Sequence, residues 1–211
     1  MENLDYFDDN LNYLGTASRK EIHEKGLWHK TIHCWILRTD PTDQQPYVVF
    51  QQRSAQKEYN PLTLDISAAG HYGAGETDQE ATREIEEELG IQVQWEKLRF
   101  LGILQEANII KGQYGATAIN REFCYTYFLV DNRPLSSYRV QESELATVVQ
   151  IPVDEGLKLF SGETNSVQGR NIHDELTTYS IADFLPRDKT YYLKIFVMAE
   201  RYFEGKKYLV I

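Results

Sequence analysis

The alternation of apolar and polar positions, and the places where it breaks, divides this chain into short strands and helices. Leu4-Asp5-Tyr6-Phe7 and Asn12-Tyr13-Leu14-Gly15 flank a polar Asp8-Asp9-Asn10 turn, the pattern of a hairpin over residues 3–16. Ser18 starts a helical stretch that Gly26 stops. Thr31–Leu37 and Tyr47–Gln52 read as strands, with Asp40-Pro41-Thr42-Asp43 as the turn between them. Leu64–Ala68 is a further strand, leading into a glycine-rich loop. Strands follow at Leu98–Leu104 and Glu122–Val130, joined by a loop around Lys111–Gly115. Leu145–Ile151 predicts another strand, after which Pro152 opens a helix to about Phe160. Ser161–Arg170 is polar and contains glycine, which predicts a mobile loop. Tyr191–Phe203 carries helical spacing ended by Gly205, and Tyr208–Ile211 has the composition of a pairing strand. With no repeat and no linker, the pattern predicts an α/β protein, a mixed sheet with helices packed on it, in a single domain over 1–211. Within it, residues 1–28 form the hairpin and short helix, 29–160 the core, and 161–211 an extension packing on that core.

One helix stands out. From Gly70 to Ile91 the chain runs through a loop with Gly70, Gly73 and Gly75, a Thr77/Glu80 capping box, and a closing Gly90. At about 100° per residue, Ala81, Ile85 and Leu89 fall on one side while Glu80, Glu84, Glu87 and Glu88 fall on another. Carboxylates at such spacing repel one another, and only Arg83 lies nearby to relieve them. A solvated acidic face is one reading of this pattern; a hard divalent cation, which would use the oxygens as ligands, is the other.

Taken together, Gly70, Glu76, Arg83, Glu84, Ile85, Glu87, Glu88, Gly90 and Ile91 resemble the Nudix box. The resemblance implies a Nudix fold and a Mg²⁺- or Mn²⁺-dependent hydrolase that cleaves a phosphoanhydride bond of a nucleoside diphosphate linked to another group. Glu84, Glu87 and Glu88 would be the metal ligands and catalytic carboxylates, and Arg83 would orient one of them. Glu76 matches a lesser position, because six residues separate it from Arg83 where the signature has seven. A residue lost at the loop-helix junction is absorbed, whereas one lost inside the helix would turn everything before it by about 100°.

The flanks extend the likeness. His23, His29, Gln52-Arg53-Ser54-Ala55 with Lys57 and Pro61, and Ser67-Ala68-Ala69-Gly70-His71 are similar to the isopentenyl-diphosphate isomerase branch of the Nudix superfamily. That likeness implies a second metal at His23, His29, His71 and Glu122, and diphosphate contacts from Arg53 and Lys57, with Gly70 beside the substrate. It is imperfect: His23 and His29 stand one residue closer together than in the isomerases, and Asn120 fills a second acidic position. Where the isomerases carry a catalytic cysteine before Gly-His, this chain has Ala69, which supplies no acid for proton transfer to an alkene carbon. Hydrolysis is therefore the expected reaction. An isomerase-like or other prenyl-diphosphate enzyme and a non-catalytic nucleotide-binding module are the alternatives. Glu142 and Glu144 offer either a base or surface charge.

Composition narrows the partners. The 211 residues carry a net charge of −10, against non-specific binding of long nucleic acid but not against a nucleotide held through a cation. The two cysteines, Cys34 and Cys124, lie in strand-like runs and suggest core thiols rather than a disulfide framework. No signal peptide or membrane-spanning run is visible, so a cytoplasmic protein with no membrane partner is expected. Aromatic segments such as Tyr202-Phe203 suit packing on the sheet or on a second copy, which leaves a homodimer open.

Overall fold

The structure, a computed structural model, describes residues 2–111, 117–141, 143–188 and 190–211. Its strands are β1 (Asn3–Phe7), β2 (Tyr13–Ser18), β3 (Trp28–Thr39), β4 (Pro46–Arg53), β5 (Leu64–Asp65), β6 (Ala68–His71), β7 (Leu98–Lys111), β8 (Thr117–Val130), β9 (Leu145–Pro152), β10 (Val167–Asn171) and β11 (Leu176–Tyr179). The helices are α1 (Arg19–Lys25), α2 (Arg83–Leu89), α3 (Val153–Ser161) and α4 (Tyr191–Phe203).

The spine is β3. It runs antiparallel to β4 through Ile36–Thr39 and to β6 through Thr31–Cys34, and parallel to β8 from His29 to Leu37. One parallel pair among antiparallel neighbours makes the sheet mixed, as the sequence pattern predicts. Both faces of β3 are covered. Trp35 and Leu37 join Phe50, Leu159, Ile195 and Phe196 in the larger core, under α3 and α4. Cys34 and Ile36 join Val49, Ile85 and Leu89 in a second core, under α2. A strand buried on both sides reads as an unbroken apolar run, which Cys34-Trp35-Ile36-Leu37 is. Both cysteines are free and buried.

The helices seal these cores through periodic faces. In α4, Tyr191, Tyr192, Ile195, Phe196 and Ala199 are buried, a single stripe at helical spacing. It packs so closely on α3 that a Cβ added at Gly156 would lie 2.1 Å from Cε1 of Phe196. The start of α1 is held as the sequence suggests: Ser18 Oγ accepts the Glu21 N–H at 3.3 Å, and Gly26 ends the helix at φ 62°. Among the described residues, no helix is long and apolar enough to cross a membrane.

Three expectations need correction, and one strand was not read beforehand. Leu64–Ala68 is not one strand: β5 pairs with β4 and β6 with β3, and the chain changes partner at Ile66-Ser67. The Ser67 hydroxyl makes that change possible, accepting the Ile36 N–H at 2.8 Å and donating to the Val49 carbonyl. The mobile loop at Ser161–Arg170 gives way to β10, which pairs with β9 and β11. Gly169 there marks close packing, not looseness, since a Cβ would lie 2.6 Å from Val149 Cγ1. The strand β11, Leu-Thr-Thr-Tyr, is too short and too weakly patterned to be read beforehand. Finally, Tyr208–Ile211 forms no strand; the Ile211 N–H reaches the Leu101 carbonyl at 3.1 Å, beside a bulge in β7 between Phe100 and Gly102. The loop expected around Lys111–Gly115 falls largely on 112–116, outside the described residues.

Candidate active site

A cleft of about 850 Å³ opens where β3, β6, α1, α2 and the β7–β8 hairpin meet. One wall is the end of β6 and the α2 ridge. The capping box forms: the Thr77 N–H donates to Glu80 Oε2 at 2.9 Å and the Glu80 N–H to Thr77 Oγ1 at 3.3 Å. A 3-10 turn over Glu80–Thr82 precedes α2, whose inner face is Ile85 and Leu89, with Ala81 buried just ahead. Gly90 closes the helix at φ 67°.

That 3-10 turn takes up the shortened spacing. Arg83 still reaches Glu76, with Nε donating to Oε1 at 2.7 Å and Nη2 to Oε2 at 3.2 Å. The same guanidinium binds Glu84 Oε1 at 2.6 Å, Glu87 Oε2 at 3.3 Å and the His71 carbonyl at 3.2 Å. Arg83 is thus the hub that aims the carboxylates. Glu76 also accepts the Gly73 N–H at 2.7 Å, so its oxygens are engaged by Arg83 and the glycine loop.

Glu84 and Glu88 line the cleft, whereas Glu87 does not and its side chain is 57% exposed beside Arg83. Glu84 lies flat against β6: a Cβ on Gly70 would sit 2.0 Å from its Cδ, so only glycine leaves room for this carboxylate. Glu88 Oε2 accepts the Ala69 N–H at 2.9 Å. Burial raises both carboxyls, Glu88 up to about 8, because no basic side chain binds it directly.

Opposite this ridge, His23 from α1, His29 from β3 and His71 from β6 converge, each offering a donor atom within 4.8 Å of the others. Backbone carbonyls orient two of the rings: His23 Nδ1 lies 2.8 Å from the Arg19 oxygen and His29 Nδ1 3.0 Å from the Leu27 oxygen. The Nε2 atoms of His29 and His71 are buried without a hydrogen-bond partner among the described residues, and His29 Nε2 is 3.7 Å from Glu122 Oε1. Burial pushes His23 and His71 down, keeping lone pairs available for a metal.

Arg53 and Lys57 line the cleft but are tethered. Arg53 donates to the Tyr59 carbonyl at 3.0 Å and lies 3.6 Å from Asp65, and Lys57 pairs with Glu144. Asn120 is buried at the cleft wall, and Glu142 lies outside the described residues. The sequence reading missed Arg187 and Glu106. Arg187 enters the cleft floor from the segment after β11, pairing with Asp65 at 3.0 Å and with Glu106. Nothing local marks Arg187, whereas an acid amid the apolar positions of β7 was a visible signal for Glu106. His33, beside them, is fully buried and neutral, pushed down to about 3 by burial, with Nδ1 2.9 Å from the Tyr191 hydroxyl.

Residues 28–168 match the NUDIX domain family. The chain belongs to the Nudix hydrolase family. It is 34% identical over 199 residues to an uncharacterized Nudix hydrolase of Clostridium acetobutylicum, covering 90% of this chain and 93% of that protein. Nudix hydrolase 3 of Arabidopsis thaliana is 34% identical over 149 residues, 69% of this chain and 18% of the plant protein. An isopentenyl-diphosphate Delta-isomerase of Serratia proteamaculans is 27% identical over 158 residues, 73% of this chain and 80% of that enzyme. A Deinococcus radiodurans crystal structure shares the fold, with a TM-score of 0.55 at 19% identity over 76% of this chain and 90% of that one. In this Nudix hydrolase, Ala69 lies on the cleft between the Glu88 carboxylate and His71, so the position carries no acid side chain.

Proposed function

We propose that this Nudix hydrolase cleaves the phosphoanhydride bond of a nucleoside diphosphate linked to a second moiety, with Mg²⁺ or Mn²⁺ held by Glu84 and Glu88. Glu87, exposed beside Arg83, completes the proposed set. Supporting this fit is a donor set made of carboxylate oxygens, the ligands hard divalent ions take, with Glu84 packed where Gly70 leaves it space and Glu88 on the Ala69 N–H. The buried Glu88 carboxylate has a raised affinity for a proton, and a divalent cation would compensate the same negative charge. When bound there, Mg²⁺ supplies positive charge that clamps the diphosphate and acidifies a water.

The chain's own residues do the rest. Arg83 holds Glu84 and Glu87 in position and does not touch the substrate. Arg53 and Lys57, on the cleft wall, leave Asp65 and Glu144 to meet the phosphate oxygens. Water attacks phosphorus, the anhydride oxygen leaves with the bonding pair, and a cleft carboxylate takes the proton. One helix glutamate, or an acidic side chain from a loop, fills that role. His23, His29, His71 and Glu122 would hold a second divalent ion, supported by the unpartnered, backbone-oriented imidazoles.

The observation carrying this reading is the convergence of Glu84 and Glu88 on Gly70 and Ala69 at the cleft. Its test is turnover with Mg²⁺ on a panel of nucleoside di- and triphosphates, nucleotide sugars, dinucleotides and isopentenyl diphosphate. Product from a nucleoside diphosphate derivative, lost in Glu87→Gln and Glu88→Gln, is expected. Turnover that survives both substitutions contradicts the mechanism, and an isomerised product from isopentenyl diphosphate contradicts the reaction class.

A further inference from the structure

Beneath the histidines lies a second constellation. His33 on β3, Glu106 on β7, and Glu122 and Cys124 on β8 are all buried, and each offers a donor atom within 4.8 Å of the other three. Strand geometry puts them together. On β8, Glu122 and Cys124 are two apart and so share a face, and the β7–β8 register sets Glu106 opposite Glu122. The β3–β8 register sets His33 opposite Thr126, one step along that same face from Cys124. Cys124 Sγ lies 3.9 Å from Glu106 Oε2 and 3.9 Å from Glu122 Oε2.

A further observation points to a ligand at this cluster. Glu106 is 93% buried, yet its Oε1 has no hydrogen-bond partner among the described residues. Around it, Arg187 pairs with Asp65 and Glu106, Arg53 with Asp65, and His29 Nε2 faces Glu122 at 3.7 Å. A path exists, because His33 and Glu122 both line the cleft.

We propose that His33, Glu106, Glu122 and Cys124 form a transition-metal site of mixed nitrogen, sulfur and oxygen ligands, distinct from both the carboxylate ridge and the three-histidine cluster. One imidazole, one thiolate and two carboxylates match the preference of borderline divalent ions such as Zn²⁺, Co²⁺ or Fe²⁺ and disfavour Mg²⁺. Binding replaces the Cys124 thiol proton with a metal–sulfur bond, and the proton leaves through the cleft to solvent. Glu122, shared with the histidine cluster through its other oxygen, ties the two sites together. Arg187 stays on Glu106 Oε2 and Asp65, fixing the floor from the C-terminal segment.

The test is cobalt substitution of metal-stripped full-length protein. A thiolate-to-cobalt charge-transfer band in the near ultraviolet is expected in the wild type and in His23→Ala, and its complete loss in Cys124→Ser. The absence of the band from wild-type protein, or its persistence in Cys124→Ser, overturns the assignment. A second measurement needs no substitution: a wild-type crystal grown with Zn²⁺ should give an anomalous-scattering peak bonded to Cys124 Sγ, and peaks confined to the histidines or the α2 ridge overturn the proposal. Neither readout depends on hydrolysis. Loss of turnover in Glu88→Gln with the band intact separates this site from the catalytic reading.

Discussion

Glu88 is a side chain whose protonation is set by its surroundings. Its carboxyl is buried without a basic partner, so it holds its proton up to about 8 where an ordinary glutamate releases it near 4.5. In the metal-free protein this raised value favours folding at low pH. The folded state retains the proton while the unfolded state loses it, so stability falls as pH rises from about 4.5 to 8 and levels off above. Chemical denaturation of chelated protein across that window should show this slope, and Glu88→Gln should flatten it. With Mg²⁺ and substrate, the same substitution should lower kcat by about 10²-fold or more, because it removes a proposed metal ligand. Circular dichroism should show an unchanged fold. At Gly70 the constraint is steric, since a methyl group there would sit 2.0 Å from Glu84 Cδ. Gly70→Ala should therefore push Glu84 off the cleft and reduce turnover, with the loss measured in kcat and the melting temperature moving much less. The acidic spacing was legible in the sequence because a helix turns periodic residues into one face. Arg187 was not legible: it lies about 80 residues from Glu106 in sequence, and only the tertiary path after β11 brings the two together.

At the scale of elements, strong periodicity was readable and weak pairing was not. The bounds of α4 follow from an apolar stripe long enough to outweigh local noise, and those of α1 from its Ser18 and Gly26 caps. In contrast, β10 carries Gly169 and three polar residues, and its strand character comes from β9 and β11 on either side. The split between β5 and β6 likewise depends on what Ser67 meets across the sheet, not on its own neighbours in sequence. The α3–α4 contact gives a direct check. Gly156→Ala places a methyl group 2.1 Å from the buried Phe196 ring, and overpacking of this kind costs about 1–3 kcal/mol. Urea denaturation should show the midpoint falling with an unchanged slope, and the α2 chemistry, on the other core, should survive.

Across the whole molecule, the two largest cores divide the labour. The larger one, under α3 and α4, fixes the C-terminal third, from which Arg187 reaches the cleft floor. The smaller one seats α2 through Ile85 and Leu89, so that Glu84 and Glu88 lie against the end of β6. The sheet brings the histidines in from α1, β3 and β6 to face that ridge across the same opening. Removing divalent ions with a chelator should abolish turnover without unfolding the chain, because both apolar cores are complete without a ligand, and adding back Mg²⁺ or Mn²⁺ should restore it. The central claim is that the α2 carboxylates grip a divalent ion against a diphosphate, and a crystal soaked with Mn²⁺ and a non-hydrolysable nucleoside diphosphate analogue tests it most directly. The account predicts an anomalous manganese peak bonded to Glu84 and Glu88 and to a phosphate oxygen of the analogue. A ridge that stays empty and open to solvent, with the analogue bound elsewhere, would contradict it.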